Sequence, residues 1–242
     1  MVNQKISPEK KWFENKEKLN FSLGIEDTFI PQTRPGMRAL DEYELTKHYE
    51  CWYDDIGLIS ETGANQTRWG IPWYLVNPAP GKFRFDWLDR VVDRFEEIGV
   101  DVIVDLMHYG TPLWLDNGFL NTDYPKYVAE YAATVAQRYR NRLNIWTPLN
   151  EPLLNMMYCG QYGYWPPYLV GDDGFVKLFR QITKGMILTQ QAISEVSPGS
   201  TFVNVEASFR FAGDVDAYSD EVAFLKQRRF LVEDTIMGRM NS

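Results

Sequence analysis

Five apolar runs, each followed by a polar loop and then an amphipathic stretch, set the rhythm of this chain. "FSLGI" (21–25) reads as a short buried strand, and "DEYELTKHYECWYDDIGLISETG" (41–63) carries apolar residues near helical spacing before it ends in Gly63. A second strand is expected over 67–71, stopped by Pro72, which has no N–H to give to a ladder. After the loop "NPAPGKF", Leu88, Val91, Val92 and Phe95 share one face of "DWLDRVVDRFEEIG", with Asp86 placed to cap that helix and Gly99 to close it. "DVIVDLMHYG" (101–110), dominated by Val and Ile, predicts the third strand. "YPKYVAEYAATVAQRYR" predicts the next helix, with Pro125 in its first turn. "LNIWTPLN" (143–150) is the fourth strand, and a long loop then leads to a helix over 175–196 that stops at Ser197-Pro198-Gly199. "TFVNVEAS" (201–208) is the fifth strand, and 220–238 the last helix.

Strands alternating with helices imply a parallel sheet with right-handed crossovers. An eight-stranded barrel and an open doubly wound sheet both satisfy that pattern. The turn after the first strand, "GIEDTF", has one glycine, which disfavours the phosphate-binding versions of the open sheet. The residues expected at the strand C-termini favour the barrel: Glu26, Arg68, His108, Asn150 with Glu151, and Glu206. In a barrel they would converge on the face where such folds keep their sites.

Composition narrows the partners. Aromatic residues make up 15% of the 242, with eight Trp and fourteen Tyr, enough to line a cleft that stacks on flat ligand faces such as sugar rings. A net charge of −8 without any basic run argues against nucleic acid. Two cysteines, Cys51 and Cys159, are too few for a disulfide framework and fit a reducing, cytoplasmic setting. The first twenty residues are polar and read as an extension ahead of one domain over 21–242, with no signal-peptide core. No run approaches the roughly 20 apolar residues of a membrane span.

Three motifs then carry the chemistry. "RWGIPW", "HYGTPLWL" and "WTPLNEP", in that order on consecutive expected strands, resemble glycoside hydrolase family 1, the β-glucosidase and β-galactosidase family. The resemblance runs from about Phe21 to about Gly238. It implies an α/β fold of the (β/α)8 TIM-barrel type, with this chain covering about five of the eight units. It also implies a retaining β-glycosidase acting on a small carbohydrate, without metal or cofactor. Residue by residue, it makes Glu151 the general acid/base, Asn150 a partner of the hydroxyl next to the anomeric carbon and His108 a partner of another sugar hydroxyl. Arg68 would face the nucleophilic carboxylate. The chemistry asks for such types: one carboxylic acid protonates the leaving oxygen while a second carboxylate, about 5 Å away, attacks the anomeric carbon.

The chain departs from that family pattern in three places. Tyr109 and Gly110 follow His108 where the family usually has Trp and Asp, and Glu26 stands where it commonly has a sugar-binding Gln. The family's nucleophile, in a Glu-Asn-Gly-type motif on the seventh strand, has no counterpart here. A catalytically silent sugar-binding or interaction protein, or another barrel glycosidase of the same clan, therefore remains an alternative reading.

Each candidate also has a plainer reading. For Glu151 it is a helix-start charge before Pro152, and for His108 a satisfied core residue; the flanking motifs favour the functional reading of both. Arg68, Glu26 and Glu206 could be ion-pair partners. Trp73 and Trp114 read as packing, whereas Trp165, in the loop after the fourth strand, is placed to face a ligand together with Tyr109. His48 and both cysteines read as structural. No His/Cys set has metal-ligand spacing. Five strands leave two open sheet edges, so self-association is expected.

Overall fold

The computed structural model describes residues 17, 19–211 and 217–239, so most of the polar extension expected at 1–20 lies outside them. Its centre is a five-stranded, all-parallel sheet in the order β1-β4-β5-β6-β7. The strands are β1 (Ser22–Ile25), β4 (Gln66–Gly70), β5 (Asp101–Asp105), β6 (Ile145–Thr147) and β7 (Thr201–Phe202). A small antiparallel pair, β2 (Phe29–Ile30) with β3 (Leu40–Asp41), sits in the first connection. Sequential order in the sheet, with a helical connection between successive strands, is the layout of consecutive units of a (β/α)8 barrel.

The central strands form where the sequence offers residues that tolerate burial on both faces. In β5, Val102, Ile103 and Val104 are buried, and β6 is buried throughout. Trp69 of β4 and Trp146 of β6 join the main core with Leu88, Val91, Val92 and Phe95 of α4 (Asp86–Ile98). α5 (Tyr124–Arg138) and α7 (Gly171–Val196) pack together over the same core, and a Cβ on Gly185 would come within 2.8 Å of the Tyr124 ring.

Several boundaries differ from the sequence expectation. β1 is not buried: Ser22, Leu23 and Gly24 are exposed, because β1 is an edge strand with β4 on one side only. The second strand begins one residue early, at Gln66, although the Ile71 N–H still bonds the Asp105 carbonyl at 2.9 Å. The third strand ends at Asp105 rather than at 110, although the Leu106 N–H still bonds the Thr147 carbonyl at 3.0 Å, and the chain then takes a left-handed conformation at Tyr109, φ 80°. The fourth is Ile145–Thr147 within the expected 143–150. The fifth shrinks to two residues, yet its extension stays alongside β6 through the Val203 N–H on the Trp146 carbonyl at 2.8 Å.

Helix boundaries shift as well. Residues 41–63 form α1 (Glu42–Leu45) and α2 (His48–Glu61), broken by Lys47 at φ 61°, with the Asp41 side chain capping α1. A further short helix, α3 (Trp73–Val76), follows β4. Asp86 is the first residue of α4 and not its cap, whereas Gly99 closes that helix as expected at φ 68°. α6 (Pro152–Asn155) and a π-helical turn (Met156–Gln161) follow the fourth strand. α7 starts at Gly171, four residues before the expected 175, and 220–238 splits into α8 (Ser219–Arg228) and α9 (Leu231–Ile236). Among the described residues no helix is long and apolar enough to cross a membrane.

Candidate functional site

The site begins with Arg68, in the middle of β4, aligned between Gly24 of β1 and Ile103 of β5. Its guanidinium contacts three elements: Glu26 Oε1 at 2.8 Å, Asp105 Oδ2 at 2.5 Å and Asn150 Oδ1 at 2.6 Å. Such a planar fork meets oxygens spread over several elements in fixed directions, which the compact ammonium of a lysine does not match. Asp105 ends β5 and also takes His108 Nδ1 at 2.7 Å, while Asn150 Nδ2 lies 3.1 Å from His108 Nε2. The amide can only donate there, so the ring proton belongs on Nδ1, where it donates to Asp105. Glu26 Oε2 stands 3.5 Å from His108 Nε2. Arg68, His108, Asn150 and Glu26 thus form one hydrogen-bonded set around Asp105.

Glu151 lies beside this set in a left-handed backbone conformation, φ 43°, with its N–H on the Val205 carbonyl at 3.0 Å. The Asn155 amide bonds the carbonyls of Asn150 and Glu151 at 3.0 and 3.2 Å and so holds this turn from behind. Tyr109 is left-handed too, and its hydroxyl donates to Glu151 Oε2. Burial, followed by that carboxylate, pushes the Tyr109 phenol well above its ordinary range. A side chain other than glycine at φ > 0 is uncommon, and here two such residues are joined by one hydrogen bond. The Tyr109 ring packs against His108 at 4.6 Å and Trp165 at 4.9 Å. Tyr109 and Trp165 also form one end of a cavity of about 310 Å³ whose walls include Ile30, Leu115, Phe119 and Tyr168.

Glu206 is placed differently. Its Oε2 accepts the Leu153 N–H at 2.7 Å and its Oε1 the Ala207 N–H at 3.0 Å, so it ties the extension of β7 to the start of α6. Burial pushes its carboxyl up to about 7, with Glu233 and Glu151 adding to the rise against those two N–H bonds. Trp73 is buried and stacked on Tyr131 at 5.1 Å, and Trp114 donates to the Asn77 carbonyl at 2.7 Å. His48 is a core residue that accepts from Trp69 Nε1 at 3.1 Å.

Sequence reasoning passed over Asp105, Asp27 and Asn155. Asp27 is 3% exposed, and burial, then the charge of Asp105, drives its carboxyl well above the usual range. It occupies the space that a side chain at position 70 would need: a Cβ on Gly70 would fall 1.7 Å from Asp27 Oδ1. Asp27, Asp105 and His108 bring three donor atoms within 4.8 Å of one another. The Arg68 guanidinium already sits on Asp105, so a side chain supplies the positive charge of this cluster. The glycine in "RWGIPW" was the one available signal for Asp27.

The chain matches the profile of "Glycosyl hydrolase family 1" over residues 23–208. It is 29% identical over 167 residues to a 1,4-beta-D-glucan glucohydrolase of Thermotoga neapolitana, which covers 65% of this chain and 39% of that protein. A bifunctional beta-D-glucosidase/beta-D-fucosidase of Bifidobacterium breve is 33% identical over 114 residues, 43% of this chain and 25% of its own length. Among solved structures, the beta-glucosidase of Thermotoga maritima in complex with deoxynojirimycin superposes with a TM-score of 0.69 at 22% identity, over 75% of this chain and 43% of that one. The fold is therefore part of a (β/α)8 barrel, and the chain spans less than half the length of these relatives.

Proposed function

Because the chain belongs to glycosyl hydrolase family 1, we propose that it carries the acid/base half of a retaining β-glycosidase site acting on small β-glycosides. The observation that carries this reading is Glu151 at a strand end, left-handed and hydrogen-bonded by Tyr109, beside the Arg68–Asp105–His108–Asn150 network. Glu151 protonates the leaving oxygen as the glycosidic bond breaks and later takes a proton from the attacking water. Among the described residues Glu206 does not serve as the attacking carboxylate, because two backbone N–H groups already hold its oxygens. Asn150, His108 and Glu26 bind sugar hydroxyls, and Tyr109 and Trp165 border the leaving-group side. Arg68 acts through Asp105 and Asn150, orienting the network.

Two cysteines without a disulfide, Cys51 exposed and Cys159 buried, support a cytoplasmic setting. The open edges β1 and β7 support self-association of this chain by itself. The committed state of Glu206 also favours a second reading, a sugar-binding barrel cleft without turnover.

Kinetics of Glu151→Gln, in this chain joined to the remaining barrel units of a family 1 relative, test the first reading. General-acid help is worth about 10²–10⁴-fold, and it matters most when the leaving oxygen is basic. The substitution should therefore slow alkyl glycosides by that factor and nitrophenyl glycosides far less. Equal losses on both classes would remove Glu151 from the acid role, and saturable sugar binding with no turnover would establish the second reading.

A further inference from the structure

We propose that Tyr109 is the positioning residue of Glu151: its phenol occupies Oε2 and thereby assigns the transferable proton to Oε1. The inference rests on Glu151 as the acid, and it concerns a hydroxyl that the family's usual Trp at this position does not have. A carboxylic acid holds one proton, and an oxygen that accepts a hydrogen bond from a phenol is the carbonyl-like one. With Tyr109 donating to Oε2, the acidic hydrogen sits on Oε1 when Glu151 is protonated. The same phenol bond persists when Glu151 is ionised, so the carboxyl group keeps its orientation through both halves of the reaction. Tyr109 can donate in both states because burial keeps its own proton bound, and the charge of Glu151 adds to this when that group is ionised.

The geometry that delivers the hydroxyl is built in. The Phe29 N–H bonds the His108 carbonyl at 3.2 Å, and Gly110 lets β2 approach so closely that a Cβ there would meet the Phe29 carbonyl oxygen at 1.9 Å. The left-handed turn at Tyr109 follows, and His108 and Trp165 clamp its ring. The hydroxyl therefore arrives at Glu151 from a fixed direction, whereas a ring alone would leave the carboxyl free to rotate about its last torsion.

Two measurements test this. In the 242-residue chain labelled with ¹³C at glutamate carboxyls, the Glu151 signal is assigned by its loss in Glu151→Gln. Tyr109→Phe, which keeps the ring, should move that signal and leave those of Glu26 and Glu206 in place. Tyr109→Leu, which also has no hydroxyl or other donor, should move it in the same direction, and it serves if the Phe variant fails to fold. In this chain joined to the remaining barrel units of a family 1 relative, Tyr109→Phe should lower kcat on alkyl glycosides by about 10–100-fold, the scale of a misplaced reacting group. KM should stay within about twofold, the sign of an interaction used in the transition state, and the kcat loss on nitrophenyl glycosides should be clearly smaller. An unmoved Glu151 signal overturns the proposal whatever the kinetics, and so does an equal kcat loss on both substrate classes. A moved signal in a protein without glycosidase activity supports the contact and overturns the function proposed above.

Discussion

Replacing Gly110 by alanine asks how firmly the backbone carrying Tyr109 is held. The new Cβ would lie 1.9 Å from the Phe29 carbonyl oxygen and 2.8 Å from its carbon, where ordinary contact begins near 3.4 Å. The two segments must part by about 1.5 Å, because both atoms are backbone and no rotamer relieves the clash. That separation breaks the Phe29 N–H bond to the His108 carbonyl, now 3.2 Å long. Overpacking of this kind costs about 1–3 kcal/mol and the lost bond about 1 kcal/mol more, so the expected destabilisation is about 2–4 kcal/mol. At roughly 2–4 °C per kcal/mol for a domain of this size, the melting midpoint should fall by about 5–15 °C. Gly24→Ala is the control, since its Cβ would meet Glu26 at an ordinary 3.5 Å, and it should stay within about 1 kcal/mol of the parent. Thermal unfolding followed by circular dichroism, with urea titration at one temperature, measures both. Equal midpoints for the two variants would refute the reasoning, and would mean that β2 is free to drift from the strand end.

Two further outcomes concern the charged groups. The folded state raises the Glu206 carboxyl from 4.5 to about 7, so it binds that proton more tightly than the unfolded chain does. The resulting stability is complete below about pH 4.5 and is lost as pH rises through 7, a fall of about 2–4 kcal/mol. Glu206→Gln should therefore show a flatter stability profile between about pH 4 and 8 than the parent, and parallel urea midpoints across that range would contradict the assignment. Arg68→Met strands Asp105, which is 1% exposed, beside the buried Asp27. It should cost about 3–5 kcal/mol in urea denaturation, with Arg68→Lys intermediate, and a Met variant within about 1 kcal/mol of the parent would show that the network is not a unit.

Much of this molecule was written locally. β5 was legible because a strand buried on both faces must be a run such as Val102-Ile103-Val104, and α4 because four apolar residues at helical spacing leave one stripe to bury. Gly99 closed that helix where only a residue free of Cβ strain sits comfortably. The motif residues Arg68, His108, Asn150 and Glu151 were legible as types on successive strands, since a parallel sheet in sequential order, joined by helical crossovers, brings the same ends of its strands to one face.

What the local pattern could not carry was decided by contacts between distant segments. "FSLGI" is as apolar as a core strand, yet β1 is exposed, because burial depends on which neighbour covers an edge. "TFVNVEAS" keeps two strand residues, because past Phe202 its pairing with the neighbouring segment narrows to single contacts such as Asn150 with Val205. Of the consecutive carboxylates Glu26 and Asp27, the first meets Arg68 and the second is buried in the gap left by Gly70, 43 residues away. Tyr109 and Glu151 are separated by 42 residues, and their hydrogen bond exists because two left-handed turns on neighbouring strands aim one side chain at the other. Side-chain type is a property of the position, but direction is set by backbone angles that the surrounding packing enforces, so the chemistry could be read along the chain and its geometry could not.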